Sequence, residues 1–166
     1  METFRKVICR AALFLIASVP LALAQGTYTQ IDAPGAVWTT AFGINTAGEI
    51  TGSYADASGT VHAFLLSSGN YTIIDYPGGY NTSLGGINDL DQVVGDSVSG
   101  GGFVYDVSTN TFTTISGPGG TGTTPVAINN AGTIVGYFVP QSGSVQGFEL
   151  VGSSYTTIAP PHSSLS

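Results

Sequence analysis

The sequence contains few basic residues and one cysteine. Its 166 residues include three Lys or Arg against ten Asp or Glu, and the three are Arg5, Lys6 and Arg10. Beyond residue 24 the chain has nine carboxylates and no Lys or Arg. Nucleic acid, anionic membranes and phosphorylated substrates are bound through such cations, so none is an expected partner. Cys9 also precedes residue 24, which excludes disulfides from the rest.

Without Lys, Arg or disulfides, this remainder must gain its stability from apolar burial and backbone hydrogen bonds. Salt bridges between side chains are not expected to contribute. Net negative charge instead favours a neutral or cationic partner. The low overall charge, with an ordinary apolar fraction, argues against disorder, which pairs low hydrophobicity with high charge.

Residues 1–24 have the pattern of an export signal. A positively charged head precedes an apolar stretch over 11–21, and Ala22-Leu23-Ala24 matches a cleavage site of the A-x-A type. The apolar stretch is shorter than the about 20 residues that a transmembrane helix needs. We expect cleavage after Ala24, a periplasmic or extracellular location, and no membrane attachment of the processed protein.

After residue 24 the sequence has no helical periodicity of useful length. It contains instead a sequence repeat. Related strings occur at Gly43–Gly52, Gly86–Gly95 and Ala127–Gly136, each with Asn in the third position. A second block, Tyr71–Gly78 in its first full copy, recurs in phase. A period of about 40 residues indicates one supersecondary unit that is copied and stacked to share a core.

Each repeat predicts four short strands, because β-branched and aromatic residues alternate with Gly, Asn, Asp, Ser and Pro. The protein is therefore expected to be all-β. The predicted organisation is a single domain over 25–160, with repeats at about 37–78, 79–119 and 120–160 and a tail over 161–166. In the first repeat the strands are expected at Thr40–Ile44, Glu49–Ala55, Val61–Leu66 and Tyr71–Asp75, with an extra N-terminal strand at Tyr28–Asp32.

Four strands per unit are typical of a propeller blade, so a propeller-like array of three repeats is expected. A β-trefoil-like threefold barrel is the alternative, because it also uses three four-stranded units. Familiar closed propellers have about four to eight blades, so three blades are too few for such a ring. An open arc would leave unpaired edges, and two copies would close into a six-bladed ring or pair through Tyr28–Asp32. A closed barrel would need no homodimer.

The turn after each recurring Asn predicts a left-handed residue at Gly48 and Gly132, with Asp91 in the same place in the second repeat. The third strand of each repeat carries a small residue before a phenylalanine. These rings, Phe64, Phe103 and Phe148, are predicted to be core residues that fill the space between sheets.

One string resembles a known repeat. His62-Ala63-Phe64-Leu65, with Gly43-Ile44-Asn45 before it and Tyr71–Gly78 after it, is similar to the extracellular HAF repeat of bacterial exported proteins. The resemblance covers nearly all of the chain after residue 24, although Gly101 and Gln146 replace the His in the later repeats. It implies a secreted, propeller-like β-repeat protein. The family has no established catalytic residues to carry over.

Few residues suggest a catalytic or metal-binding site. Catalysis by His62 is not expected, because a general base needs an oriented partner and the other repeats lack the imidazole. Asp89 and Asp91, with Asp96 nearby, superficially suggest a calcium loop, but the twelve-residue loop with its terminal Glu is missing, and no other cofactor is expected.

Three aromatic residues lie in or beside the inter-repeat loops, where exposed rings could stack on sugars: Trp38, Tyr76 and Tyr80. Packing is the competing interpretation.

The sequence leaves three functions open. The first is a secreted, non-enzymatic β-repeat module that binds a neutral or cationic partner such as a glycan or an exported protein. The second is a secreted carbohydrate-active enzyme with paired carboxylates, whose separation the sequence does not give. Asp32, Asp75, Asp89 and Asp91 are the carboxylates whose convergence would decide it. The third is a structural fragment that functions only after assembly.

Overall fold

A computed structural model describes residues 26–117, 122–141 and 143–158, and these form twelve β-strands and no helix. Consequently, no helix in these ranges is long and apolar enough to cross a membrane. The predicted export signal at 1–24 and the predicted tail at 161–166 lie outside these ranges. The strands are β1 (Trp38–Ile44), β2 (Ile50–Ala55), β3 (Val61–Ser67), β4 (Asn70–Ile73), β5 (Thr82–Ile87), β6 (Gln92–Ser97), β7 (Gly101–Asp106), β8 (Thr111–Ile115), β9 (Thr123–Ile128), β10 (Ile134–Phe138), β11 (Gln146–Val151) and β12 (Ser154–Ile158).

Each repeat forms its own four-stranded antiparallel sheet. The strand orders are β1-β2-β3-β4, β5-β6-β7-β8 and β9-β10-β11-β12, and we name these sheets blade 1, blade 2 and blade 3. The predicted all-β, propeller-like array of three four-stranded repeats is confirmed. A trefoil-like barrel would pair strands of different repeats, and the described sheets contain no such pair.

The first strands of the blades lie at the centre of the array. β1 lies against β5 and β5 against β9, whereas β1 and β9 make no contact of similar extent in the described ranges. The inner strands of neighbouring blades approach closely because glycines, which have no side chain, lie at the contacts. A Cβ at Gly85 would lie 2.5 Å from the Val126 carbonyl oxygen, and one at Gly43 would lie 2.7 Å from the Gly85 carbonyl oxygen. The blades therefore form an arc that is open between blade 1 and blade 3.

Two apolar cores fill the spaces between blades. Between blades 1 and 2, Leu65 and Ile74 pack with Phe103 of blade 2. Between blades 2 and 3, Val94 and Ile115 of blade 2 pack with Phe148 of blade 3. Phe103 and Phe148 are fully buried, and so is Phe64, their counterpart in blade 1. The predicted core role of the three phenylalanines is confirmed.

The extra N-terminal strand is a wrong prediction. Tyr28–Asp32 has no strand structure and joins no sheet. The reason is that Ile31 and Ala33 pack onto the apolar cluster around Phe64, on the face of blade 1 and not along its edge. Ala36 N then donates to the Ala33 carbonyl oxygen at 3.1 Å, which turns the chain toward β1.

The turn between the first two strands of each blade has the predicted geometry. Gly48 has φ of 81°, Gly132 of 77° and Asp91 of 59°. The Asn at the start of the turn accepts backbone hydrogen bonds, as at Asn45, whose Oδ1 accepts from Glu49 N at 2.9 Å. The left-handed assignment is confirmed for all three turns.

Candidate functional site

A pocket of about 190 Å³ lies where the inner strands of the three blades approach one another. We call it the axial pocket. Phe42 of β1, Gly85 of β5 and Val126 of β9 occupy equivalent positions and all line it. Asp96 of β6 and Tyr137 of β10 also line the pocket. All three blades thus contribute to this pocket.

Asp96 is the charged group of the axial pocket. It is half-buried opposite Ser83 in the β5–β6 register, and no hydrogen bond to its carboxylate is made by the described residues. Burial alone raises the pKa of this carboxyl. The equivalent residues are Ser53 in blade 1 and Tyr137 in blade 3, so the scaffold does not require an acid there. Asp96 is therefore a partly desolvated carboxylate to which no described residue donates a hydrogen bond.

Two aromatic rings line the pocket together with Asp96 and widen the range of ligands that it can bind. Phe42 and Tyr137 come from different blades, and both remain substantially exposed. Aromatic faces attract ammonium and guanidinium groups and also stack on sugar rings. A desolvated carboxylate with such rings suits an amine, a guanidine or a hydroxyl-rich ring.

Sequence reasoning missed this site because it grouped Asp96 with Asp89 and Asp91. In the structure, Asp96 lies near the end of β6, at the opposite end of that strand from Asp91. Alignment of the repeats does single out Asp96, since it places Ser53, Asp96 and Tyr137 at one position and only one of the three is an acid. It does not show that the position faces a pocket.

The predicted aromatic residues do not form one site. Tyr76 stacks on Phe103 with ring centroids 5.3 Å apart, and its hydroxyl lies 3.2 Å from Thr114 Oγ1, so packing accounts for it. Trp38 and Tyr80 are exposed near the start of β1 and of β5. No ring contact joins any two of Trp38, Tyr76 and Tyr80 in the described ranges. Ligand binding by Trp38 and Tyr80 stays a prediction.

Asp89 joins the turns of neighbouring blades. Its Oδ1 accepts hydrogen bonds from Thr46 N and Thr46 Oγ1, both at 2.8 Å, and its Oδ2 accepts from Asn130 Nδ2 at 2.7 Å. These bonds, led by the one from Thr46 N, lower the pKa of Asp89. The described residues contain no group of three His, Cys, Asp or Glu suited to a metal ion. Calcium binding by Asp89 and Asp91 stays a prediction.

His62 lies between two carboxylates. Its Nδ1 is 2.7 Å from Asp75 Oδ2, and its Nε2 is 3.4 Å from Asp56 Oδ2. The hydrogen bond with Asp75 is the largest cause that raises the pKa of His62. The expectation of no salt bridges is thus wrong, because the fold brings the one described His to carboxylates on both sides. Asp75 is engaged here and Asp89 at the blade junction, so these two carboxylates have separate partners.

Comparison with models of protein families and with curated proteins finds no match to this chain. Functional inference therefore depends on its sequence and geometry.

Proposed function

We propose that this protein is a secreted, non-enzymatic β-repeat module of the HAF type, and that it binds a neutral or cationic extracellular partner at the axial pocket. The observation that carries the proposal is Asp96, a half-buried carboxylate without a hydrogen-bond partner among the described residues. A glycan or an exported protein that presents an amine or guanidine fits this chemistry best.

The preference for a cationic group follows from desolvation. Burial costs Asp96 part of its hydration, and a charge-assisted hydrogen bond from an ammonium or guanidinium would restore that interaction. Phe42 and Tyr137 line the same pocket and add cation–π attraction. The chain's net charge of −7 at pH 7 adds long-range attraction for cations. A neutral sugar would use the same carboxylate as a hydroxyl acceptor.

The volume limits how much of the partner enters. Sites that enclose a whole small molecule usually measure about 300–1,000 Å³. The axial pocket, at about 190 Å³, is smaller and suits one end group, such as a Lys or Arg side chain or one amino-sugar residue. We therefore place the rest of the partner outside the pocket.

The test uses an array of neutral glycans, glucosamine oligomers, and peptides that end in Lys or Arg. Titration calorimetry then measures the strongest probe. Asp96→Asn should weaken binding of a cationic probe at least about tenfold, because the ionic contact is lost while shape is kept. Asp106→Asn is the matched control, since Asp106 lies at the end of β7 in a turn where it accepts from Ser108 Oγ and Thr109 N.

Equal binding by wild type and Asp96→Asn would contradict the assignment of the pocket. Binding of none of these probes would contradict the proposed partner class. The same glycans are also incubated with the protein and analysed for cleavage. Turnover that a single Asp→Asn change abolishes would contradict the non-enzymatic part.

A further inference from the structure

The two junctions between blades are filled by the same kinds of side chain. At the first junction, between blades 1 and 2, Ile87 of β5 is buried in one cluster with Leu65 of β3 and with Ile74, which follows β4. At the second junction, between blades 2 and 3, the corresponding residues are Ile128, Val104 and Ile115. A complete junction thus combines a first-strand isoleucine of one blade with two residues of the preceding blade, a third-strand aliphatic residue and an isoleucine at the end of the fourth strand.

The N-terminal segment supplies blade 1 with one part of this set. Its sequence repeats the pattern found around the end of β4. Ala33 N donates to Thr39 Oγ1 at 3.1 Å, and the equivalent bond at the first junction, from Tyr76 N to Thr82 Oγ1, has the same length. Ile31 therefore takes the place of the fourth-strand isoleucine. Because this place is filled, a whole preceding blade cannot dock on blade 1.

The third-strand residue is missing from blade 1. Ile44, the first-strand isoleucine of this blade, is 67% exposed, whereas its equivalent at the first junction is buried. It lines a pocket of about 280 Å³ together with Ile31, Ala41 and Ile50, and we call this the blade 1 pocket. All of its lining residues are apolar, and among the described residues none from a third strand lines it. The pocket is therefore the place that Leu65 fills at the first junction.

The backbone beside the blade 1 pocket is also unpaired. At the first junction β4 pairs with β3, and Thr72 lies opposite Leu65. Thr29 is the equivalent of Thr72, yet residues 28–31 make no backbone hydrogen bond within the described ranges and join no sheet there. Tyr28 is 97% exposed. The N-terminal segment thus presents the edge of a fourth strand whose third strand is missing.

We propose that blade 1 binds an extended segment of another protein in the place of a third strand, with an aliphatic side chain of that segment in the blade 1 pocket. The segment pairs with residues 28–31 by β-augmentation, in which main-chain hydrogen bonds give affinity and side-chain pockets give specificity. A second copy of this chain is not the occupant, because β3, β7 and β11 each pair on both sides within their own blades. The proposal does not depend on the ligand of the axial pocket.

The existing junctions define the side chains that the segment needs. Ala63 and Leu65 belong to the core between blades 1 and 2, whereas Phe64 between them belongs to the cluster on the other side of blade 1. At the second junction a Cβ at Gly102, the equivalent of Ala63, would lie 2.8 Å from the Thr123 carbonyl oxygen, so only a small residue fits. The expected pattern is a small residue followed two positions later by Leu, Ile or Val. Because the chain has no Lys or Arg beyond residue 24, neutral or basic flanks are favoured.

The test measures binding of a fluorescein-labelled peptide by anisotropy, with protein purified from an exporting host. The parent peptide has the sequence of residues 61–67, followed by a pair of lysines for solubility. It should bind the wild type saturably. The same peptide with Asp at the position of Leu65 keeps the lysines and should bind at least about tenfold more weakly. Ile44→Asp should weaken binding of the parent peptide equally, because it places a carboxylate in an apolar pocket.

A second pair of variants tests the strand pairing. Hydrogen-bonded pairs alternate along an antiparallel ladder, and Ile74 N donates to the Ala63 carbonyl oxygen at 2.9 Å, so Thr72 and Leu65 form the next bonded pair. Thr29→Pro removes the N–H that matches that of Thr72, so it should weaken binding at least about tenfold. Thr29→Ala keeps this N–H and should bind as the wild type does.

Val98→Asp is the matched control for Ile44→Asp, since Val98 is exposed just after β6 on the middle blade and does not line the blade 1 pocket. Circular dichroism on every variant separates lost binding from lost folding. A wild type that does not bind the parent peptide overturns the proposal, and so does equal binding by wild type and Ile44→Asp. Equal binding of the two peptides shows attachment through the lysines alone, which overturns this proposal and leaves that for the axial pocket intact. Undiminished binding by Thr29→Pro overturns the strand pairing.

Discussion

His62 and Asp75 form the shortest contact between a histidine nitrogen and a carboxylate in the described structure, with Nδ1 and Oδ2 2.7 Å apart. Asp75 follows β4, whereas His62 lies in β3, so the contact depends on the pairing of these two strands. On the other side of the ring, Asp56 accepts hydrogen bonds from Ser58 Oγ and from the backbone of Ser58 and Thr60. These bonds lower the pKa of Asp56 to about 2.

These pKa shifts predict how stability depends on pH. The folded-state pKa of His62 is raised, so its contribution is complete below the unfolded pKa of about 6.5 and is lost as pH rises through the folded value. Asp56 contributes above its unfolded pKa, and that contribution is lost as pH falls toward about 2. We expect wild type to gain stability relative to His62→Gln between pH 8.5 and pH 5.5 in thermal melts. Parallel profiles of the two proteins would contradict this pairing.

Asp91 occupies a left-handed position where the other two blades have glycine. Asp91→Gly should relieve about 1 kcal/mol of backbone strain, partly offset by the greater entropy of the unfolded chain. We expect a small rise in melting temperature. Gly132→Val is the converse variant, because Gly132 has φ of 77° with open space around it, so backbone strain alone should lower its stability. An unchanged melting temperature for Gly132→Val would show that the positive φ costs nothing.

Truncation of Phe103 tests the core between blades 1 and 2. Phe103 is fully buried, so Phe103→Ala should cost roughly 3–5 kcal/mol in the free energy of unfolding, measured with urea. Phe42→Ala is the matched control, because Phe42 is mostly exposed at the axial pocket and should cost much less. Similar losses for the two variants would mean that Phe103 is not packed as described.

The sequence was sufficient for the features that local chemistry determines. The recurring Asn and Gly predicted the turns, and the small residue before Phe64 and its equivalents predicted the core, because both depend on positions within one repeat. Tyr28–Asp32 was mistaken for a strand because it shares its residue pattern with strands that have partners. Its environment, the cluster around Phe64, depends on tertiary packing. The partners of His62 and the surroundings of Asp96 were missed for the same reason.

Asp89 provides the last prediction, which separates its hydrogen bonds from calcium binding. Asp89→Ala removes the acceptors of Thr46 N, Thr46 Oγ1 and Asn130 Nδ2, so it should lower the melting temperature. If the hydrogen bonds between blades are the cause, the loss should be equal in EDTA and in millimolar calcium. Asp106→Ala is the control, because its carboxylate bonds only within its own turn. A wild type that calcium stabilises, with the gain absent in Asp89→Ala, would instead support an ion site at this junction.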